Sequence, residues 1–265
     1  MPSYNEIRYD VADHVATLTW HRPEARNALT PVMLGETIQA VHDAQADSAV
    51  RVLVITGAGR AFCAGGDTKA MAQAISAGGP ASSDGERLGQ IQELQLSLRR
   101  FPKVLIAAVN GAAYGAGLDL ACSADFRLAA DTARFCEVYV RLGLAPGGGG
   151  AWLLPRLVGV TNALDLVLSG EPIDAAEALR IGLVSRVVPA ADLISATREF
   201  AQRFVLSAPR SVQVAKRTLY RGLEMSLEAS LDFIRPQIAA LRQTKDHKEG
   251  LRALQERRLP RFEGR

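Results

Sequence analysis

The first third of the chain changes from a two-residue to a helical hydrophobic period. Residues 6–11 and 14–20 alternate apolar and polar positions and are separated by a short link, which predicts a hairpin of two antiparallel strands. Thr30 and Pro31 then precede apolar residues at helical spacing. A hydroxyl side chain before a proline is a typical helix start, so a helix is predicted from Pro31 onward.

Two later segments are apolar at nearly every position. Residues 50–56 and 104–109 are rich in Val, Ile and Ala, and both end in a glycine-rich stretch. Continuous hydrophobicity of this length is typical of a parallel strand that is covered on both faces. Between them, residues 76–85 read SAGGPASSDG, and this polar, glycine-rich composition predicts a mobile loop.

The rest of the chain becomes steadily more helical. Residues 191–265 are predicted to be almost entirely helical, with breaks at Pro209, Gly222 and Pro236. This divides the chain into a strand-rich part, residues 1–190, with crossover helices, and a helical C-terminal part, with no internal sequence repeat visible. Further short strands are predicted at residues 126–129 and 183–188, and helices around residues 162–168 and 175–180.

Composition limits the environment and the partners. The 265 residues are 48% hydrophobic and 22% charged, with no run of about 18 apolar residues and no basic, then apolar, leader, so we expect a cytoplasmic protein without a membrane partner. Three cysteines lack metal-site or disulfide spacing and are expected in the core. The net charge of +3 suits an anionic small molecule at least as well as nucleic acid.

Two segments share the order buried strand, glycines, helix. The strand at residues 52–56 leads into GAGRAFCAGGDTKAM, and the strand at residues 104–109 leads into NGAAYGAGLDLA. Peptide N–H groups at such a junction are unpaired and gain from the helix dipole, so each can bind a developing negative charge. Two such loops together could form an oxyanion hole.

Other catalytic classes find little support. Residues 111–117 spell a GxxxGxG loop of nicotinamide enzymes, but the loop does not follow the first strand and no Tyr-x-x-x-Lys is present. The GxSxG, HExxH and GxxxxGK[ST] motifs are also absent from the sequence. The four histidines lie outside both glycine-rich loops and are not expected to act as bases; they are His14, His21, His42 and His247.

Taken together, these motifs resemble the enoyl-CoA hydratase/isomerase (crotonase) superfamily nearly end to end. The resemblance implies an α/β fold, a spiral of repeated ββα units whose helical C-terminal region joins subunits into homotrimers or hexamers. It also implies an acyl-CoA thioester substrate, with no separate cofactor and no metal. The matching segments are HRPEARNAL, VLVITGAGRAFCAGGDTKAM, FPKVLIAAVNGAAYGAGLDLACSADFRLAA, ARFCEVYVRLGLAPGGGG, LPRLVG and TKDHKEGLRALQERRLPRFEGR.

The resemblance also assigns roles to particular residues. It places the two oxyanion donors at the backbone N–H groups of Ala64 and Ala116, which suits a thioester carbonyl that becomes an enolate. The residues implied for binding the nucleotide end of CoA are Arg22, Arg26, Asp67 and Lys69.

The sequence departs from the family at the acid/base positions. Hydratases of this family use two glutamates, where this chain has Asp119 and Tyr139. Aspartate keeps the acid/base function but is about 1.5 Å shorter, and a tyrosine with its ordinary pKa near 10 can orient water or donate a proton. Glu137 is a reserve candidate that is more simply interpreted as a surface charge, and Gly147 replaces an acid that some relatives use.

The leading prediction is therefore an enoyl-CoA hydratase that adds water to a 2-enoyl-CoA. Double-bond isomerisation is the nearest alternative because it needs only one acid/base group, and thioester hydrolysis or decarboxylation stays open within the same family. A non-catalytic or RNA-binding crotonase homologue is the alternative from another class; the small basic excess makes nucleic acid an unlikely partner.

Overall fold

The computed structural model describes residues 4–76 and 82–265, with the backbone alone at residues 69, 70, 74, 75 and 82–84. Two sheets and a set of flanking helices make up an α/β fold. The larger sheet has the order β1-β2-β3-β5-β7-β10, and the smaller has the order β4-β6-β8-β9.

The larger sheet is mainly parallel. β1 and β2 form the predicted antiparallel hairpin, and every other neighbouring pair in this sheet is parallel. Its strands are β1 (Ile7–Ala12), β2 (Val15–Trp20), β3 (Val52–Gly57), β5 (Val104–Val109), β7 (Phe126–Ala130) and β10 (Arg186–Val188).

The smaller sheet consists of short strands that the hydrophobic pattern does not predict. In three successive units, a strand of the larger sheet is followed by a strand of the smaller sheet and then by a helix, which confirms the expected spiral of ββα units. The repeat is one of topology, since the sequences of the units differ. The strands are β4 (Ala61–Cys63), β6 (Ala112–Tyr114), β8 (Arg134–Cys136) and β9 (Ile173–Asp174).

Ten α-helices complete the described part of the chain. The first begins as predicted, because the Thr30 side chain accepts a hydrogen bond from the N–H of Met33. The helices are α1 (Pro31–Ala46), α2 (Thr68–Ser76), α3 (Ser82–Arg100), α4 (Ala116–Cys122), α5 (Gly150–Ser169), α6 (Ala175–Arg180), α7 (Leu193–Val205), α8 (Pro209–Gly222), α9 (Leu227–Arg242) and α10 (Lys245–Gln255).

The two central strands are buried on both faces, as their continuous hydrophobicity predicts. Every residue of β3 and β5 is buried. One face joins the main core with α1, α3, α4 and α5, and the other face packs against α7 through Phe200 and Val205. The three cysteines are buried and unpaired, as expected.

Three details of the sequence prediction are wrong. Of residues 76–85, expected in a mobile loop, Ser76 ends α2 and residues 82–85 begin α3, because serine and aspartate are favoured in the first turn of a helix. Of that segment, residues 77–81 lie outside the described residues. Pro236 lies inside α9 and does not break it, and the strand predicted at residues 183–188 is confined to β10.

One described helix is long and apolar enough to cross a bilayer by length and composition alone. This helix is α5, and 28% of its most apolar stretch of 18 residues is buried. It contains Arg156 and Asp165, so its apolar run is interrupted. Leu153, Leu154 and Val158 of the same helix belong to the main core, and core helices of soluble proteins pass the same test.

The helical C-terminal part is fastened to the core by a charged cluster. Lys216 of α8 donates to Asp125 Oδ2 at 2.7 Å, and Tyr220 donates to Asp125 Oδ1 at 2.7 Å. The Lys216 and Asp125 side chains are each only 11% exposed. Asp125 also accepts the N–H of Leu105 at the start of β5, so one carboxylate joins α8 to the central sheet.

Asp125→Asn should destabilise the protein by about 3 kcal/mol, because the buried Lys216 ammonium loses its counter-charge. Urea unfolding at a fixed protein concentration measures this change. Asp232→Asn is the matched control, since its ion pair with Arg235 is between side chains 71% and 79% exposed and should leave the midpoint unchanged. Equal midpoints for both variants would contradict the anchoring role of Asp125.

Candidate active site

The two glycine-rich loops lie against each other because β4 and β6 are neighbours in the smaller sheet. Gly65 has a φ of +84°, and a Cβ there would lie 2.6 Å from the carbonyl oxygen of Tyr114. A Cβ at Gly117 would overlap the carbonyl oxygen of Cys63. Glycine is therefore required at both positions for the two backbones to approach this closely.

Asn27 holds the first of these loops in place, and sequence reasoning did not single it out. Its side chain is fully buried, and its Nδ2 donates to the carbonyls of Ala58, Ala61 and Phe62 at 2.9, 2.8 and 3.2 Å. Its Oδ1 accepts the N–H of Arg22 at 2.9 Å. The signal in the sequence is the asparagine of HRPEARNAL, which here adopts a φ of +56°, a region that asparagine tolerates.

A cavity of about 260 Å³ lies where the loops meet. Its wall is mostly apolar, and side chains of α3 and of the segment before α5 close its far side. The lining residues are Ala64, Gly65, Gly66, Thr68, Met71, Arg87, Leu88, Ile91, Gly115, Ala116, Val138, Tyr139, Leu142, Leu144, Ala145, Gly147 and Gly148.

The two predicted oxyanion donors differ in whether their N–H groups are already hydrogen-bonded. Ala116 lines the cavity at the first position of α4, where a peptide N–H has no partner within the helix. The N–H of Ala64 donates to the carbonyl of Arg26 at 3.0 Å, so it is not available to a substrate. In the part of the chain that the structure describes, no hydrogen bond uses the N–H of Gly66, which lines the same cavity.

Asp119 and Tyr139 are brought together as a pair. Tyr139 donates to Asp119 Oδ2 at 2.6 Å. Asp119 is fully buried, whereas Tyr139 is half-buried and lines the cavity. A group in the cavity therefore contacts Tyr139 directly, whereas Asp119 is not part of the cavity wall.

The run of four glycines after Pro146 forms a cradle for this carboxylate. A Cβ at Gly148 would lie 2.5 Å from Asp119 Oδ2, and a Cβ at Gly150 would overlap Asp119 Oδ1. The N–H groups of both glycines interact with the carboxylate and lower its pKa. Because Gly150 is the first residue of α5, the carboxylate also lies at the positive end of that helix.

The burial of Asp119 acts against these contacts and determines the net direction of its pKa shift. Burial raises the pKa of Asp119, whereas the Tyr139 hydrogen bond and the nearby glycine N–H groups and Glu137 lower it, leaving the pKa above its ordinary value. The pKa of Tyr139 is also raised, first by burial and then by the Asp119 charge. The tyrosine thus keeps its proton and the aspartate gains affinity for one, as a proton-transfer pair requires.

Glu137 is not the surface charge that the sequence favoured. It is fully buried, and a Cβ built on Gly150 would lie 3.3 Å from Glu137 Oε1 while touching Asp119. Burial and the Asp119 charge raise the pKa of Glu137. Glu137 directly precedes a 3-10 turn over Val138–Leu142, and in this local structure the side chains of Glu137 and Tyr139 both lie near Asp119.

The predicted nucleotide-binding residues fall in two places. Arg22 pairs with Glu6 at 3.4 Å and with Asp67 at 3.8 Å. Arg26 is exposed and lines a separate cleft of about 590 Å³, together with Arg60. Lys69 is within α2, but its side chain lies outside the described residues.

The remaining expectations concern metals and histidines. Within residues 4–76 and 82–265, no cluster of three or more His, Cys, Asp or Glu side chains could hold a metal ion. None of the four histidines lines the cavity. His14 contacts the carbonyl of Ala49, and His21 contacts Arg8, which places both in local structural contacts.

Comparisons with known proteins show which proteins this chain resembles over nearly its whole length. The family model described as enoyl-CoA hydratase/isomerase matches residues 10–265. A 2,3-dehydroadipyl-CoA hydratase of Escherichia coli is 39% identical, covering 98% of this chain and 100% of that protein. A trans-2-decenoyl-[acyl-carrier-protein] isomerase of Streptococcus mutans is 34% identical, with 99% of each chain covered. The crystal structure of an enoyl-CoA hydratase from Bacillus anthracis superposes with a TM-score of 0.93 at 33% identity, covering 98% of this chain and 100% of that one.

Gly150→Ala should destabilise the protein by about 1–3 kcal/mol, because its methyl group would displace the buried Asp119 carboxylate. Urea unfolding measures the change, with Gly35→Ala as the matched control. Gly35 lies within α1 with nothing within 4 Å of an added Cβ, so alanine there should stabilise by about 0.5–1 kcal/mol. A Gly150→Ala variant as stable as the natural protein would show that the cradle is loosely packed.

Proposed function

This chain belongs to the enoyl-CoA hydratase/isomerase family, and we propose that it adds water to the double bond of a 2-enoyl-CoA through an Asp119–Tyr139 proton relay. The family match and the full-length relatives support action on acyl-CoA thioesters. The observation that carries the proposed route is the 2.6 Å hydrogen bond from Tyr139 to the buried Asp119 at the wall of the cavity.

The thioester carbonyl binds between the N–H groups of Gly66 and Ala116. When water adds at C3, negative charge moves through the enoyl system onto the carbonyl oxygen, and two fixed donors stabilise it without side-chain rearrangement. Losing one such donor typically costs about 10²–10³ in rate. This role needs only backbone N–H groups, which is consistent with a glycine at position 66 and an alanine at position 116.

The proton moves through Tyr139. The phenol oxygen accepts a proton from the attacking water while its own proton passes to Asp119, leaving hydroxide bonded to C3 and an enolate on the thioester. The same two groups then return the proton to C2, so one relay serves first as base and then as acid. Atoms balance, because the net change is the addition of one water molecule.

Double-bond migration is the second candidate, since it also needs one group that removes and returns a proton. The Streptococcus mutans relative, named as an isomerase, favours keeping it open. A screen of 2-enoyl and 3-enoyl CoA thioesters by mass spectrometry and nuclear magnetic resonance separates the two reactions, because hydration adds the mass of water and isomerisation does not.

The nucleotide end of CoA is proposed to bind beside the first glycine-rich loop. The Ala64 N–H bond to the Arg26 carbonyl joins this loop to the arginine segment, and Arg26 and Arg60 present two cations on one cleft. Guanidinium groups suit phosphate oxygens. Arg22, Asp67 and Lys69 remain proposed contacts, and no cofactor other than the CoA carried by the substrate is proposed.

We also retain the proposal that residues 1–190 form the catalytic core and residues 191–265 an oligomerisation region. Several leucines of α8–α10 and of the link after α8 are more than half exposed, a pattern that a soluble surface rarely leaves uncovered. They are Leu219, Leu223, Leu227, Leu231, Leu251 and Leu254. A homotrimer or hexamer in the cytoplasm is the proposed assembly and location.

Asp119→Asn should lower kcat for crotonyl-CoA hydration by about 10²–10⁴ while changing CoA binding little, because the relay loses its proton acceptor. Tyr139→Phe should cause a comparable loss, since the tyrosine is the group that faces the cavity. Loss of absorbance of the enoyl thioester measures turnover, and isothermal calorimetry with CoA measures binding.

Tyr9→Phe serves as the matched control, because Tyr9 lies on β1 at the edge of the larger sheet and should retain full activity. Unfolding curves for all three variants show whether each remains folded. Full turnover by folded Asp119→Asn would remove the relay from the mechanism.

Sedimentation equilibrium at micromolar concentration should give three or six times the 28.4 kDa chain mass. Leu223→Glu, at a leucine 69% exposed in the single chain, should shift the population toward monomer because a charge would be buried at the interface. A monodisperse monomer for the natural protein would reject the proposed assembly.

A further inference from the structure

Glu137 is a buried carboxyl group that takes no direct part in the proposed proton relay. Neither of its oxygens, nor Asp119 Oδ1, has a partner with standard hydrogen-bond geometry among the described residues. Burying an isolated carboxylate is costly, so such a group either pairs or stays protonated. Because Gly150 has no Cβ, the carboxyl groups of Asp119 and Glu137 both have room beside its Cα atom.

Among the described residues, no cation forms a hydrogen bond with the Glu137 carboxyl group. Arg127 of β7 donates to the carbonyls of Leu183 and Ala124 at 2.6 Å each, and Arg141 donates to Ser169 and Glu171. The thiols nearby stay neutral, because burial raises the pKa of each. The ionisable groups near Glu137 are Asp119 and Cys122 from α4, Cys136 from β8 and Tyr139 from the 3-10 turn. Next to Asp119, helix α3 contributes the neutral side chain of Gln95, and α5 contributes its N-terminal peptide groups.

We propose that Glu137 is a positioning residue that stays protonated and donates its carboxyl proton to Asp119, so that Asp119 remains ionised and ready to receive the proton from Tyr139. This inference rests on the proposed function for its kinetic consequence. The two carboxyl groups then carry one negative charge between them in the resting protein, which the N-terminus of α5 accommodates.

The directions of the pKa shifts agree with this arrangement. Burial and the Asp119 charge raise the pKa of Glu137, whereas the Glu137 contact lowers that of Asp119. Activity should fall on the acid side as Asp119 becomes protonated. It should fall on the alkaline side as Glu137 loses its proton and a second negative charge enters the pocket.

Two variants separate the proton from the shape of the side chain. Glu137→Gln keeps a hydrogen-bond donor toward Asp119 but cannot ionise, so the pH profile of kcat for crotonyl-CoA should keep its acid limb and lose its alkaline limb. Glu137→Met removes the donor, so the acid limb should move about one pH unit upward. A merely structural role would lower kcat without moving either limb.

An alkaline limb unchanged in Glu137→Gln, or an acid limb unmoved in folded Glu137→Met, would overturn the proposal. Difference infrared spectra of the substrate-free protein provide a readout that does not depend on activity. The natural protein at neutral pH should show a protonated carboxyl band that Glu137→Gln lacks, and its absence would also overturn the proposal. If the natural protein shows this band but does not hydrate crotonyl-CoA, the proposed function fails and the paired carboxyls stand.

Discussion

The site depends on one hydrogen bond, from the hydroxyl of Tyr139 to a carboxylate that has no direct access to the cavity. The bond is 2.6 Å long and Asp119 is fully buried, so in the proposed relay it determines where a proton enters and leaves. The resemblance implies a glutamate where this chain has the shorter aspartate, and in the proposal the tyrosine bridges the distance that the missing methylene leaves. The two departures from the family pattern are thus complementary.

The surrounding structure makes a buried carboxylate tolerable. Glycines at 148 and 150 leave the space that side chains would fill, and their N–H groups and the start of α5 supply positive potential. Across the cavity, the pairing of β4 with β6 holds the two donor loops together, and Asn27 fixes the first loop by three hydrogen bonds. In the proposed mechanism the oxyanion donors are backbone N–H groups, so much of the catalysis would depend on the fold itself.

Sequence reasoning predicted the parts of this arrangement that depend on periodicity or on local motifs. The hairpin, the buried strands β3 and β5 and the start of α1 follow from hydrophobic spacing and capping. The strands of the smaller sheet, two or three residues long, are too short to show a hydrophobic period. The proposal of Gly66 in place of Ala64 depends on the hydrogen bond between Ala64 and Arg26, which only the structure shows. Likewise, nothing in the sequence shows that Glu137 is buried, since its burial results from the 3-10 turn and the glycine cradle.

The central claim, that protons reach the substrate through Tyr139 from Asp119, can be tested without any net reaction. Butyryl-CoA in heavy water should exchange its C2 hydrogens for deuterium in the presence of the natural protein, as followed by proton nuclear magnetic resonance. The account predicts that exchange is lost in both Tyr139→Phe and Asp119→Asn, because each interrupts the same relay. Exchange at the natural rate in folded Tyr139→Phe would contradict it.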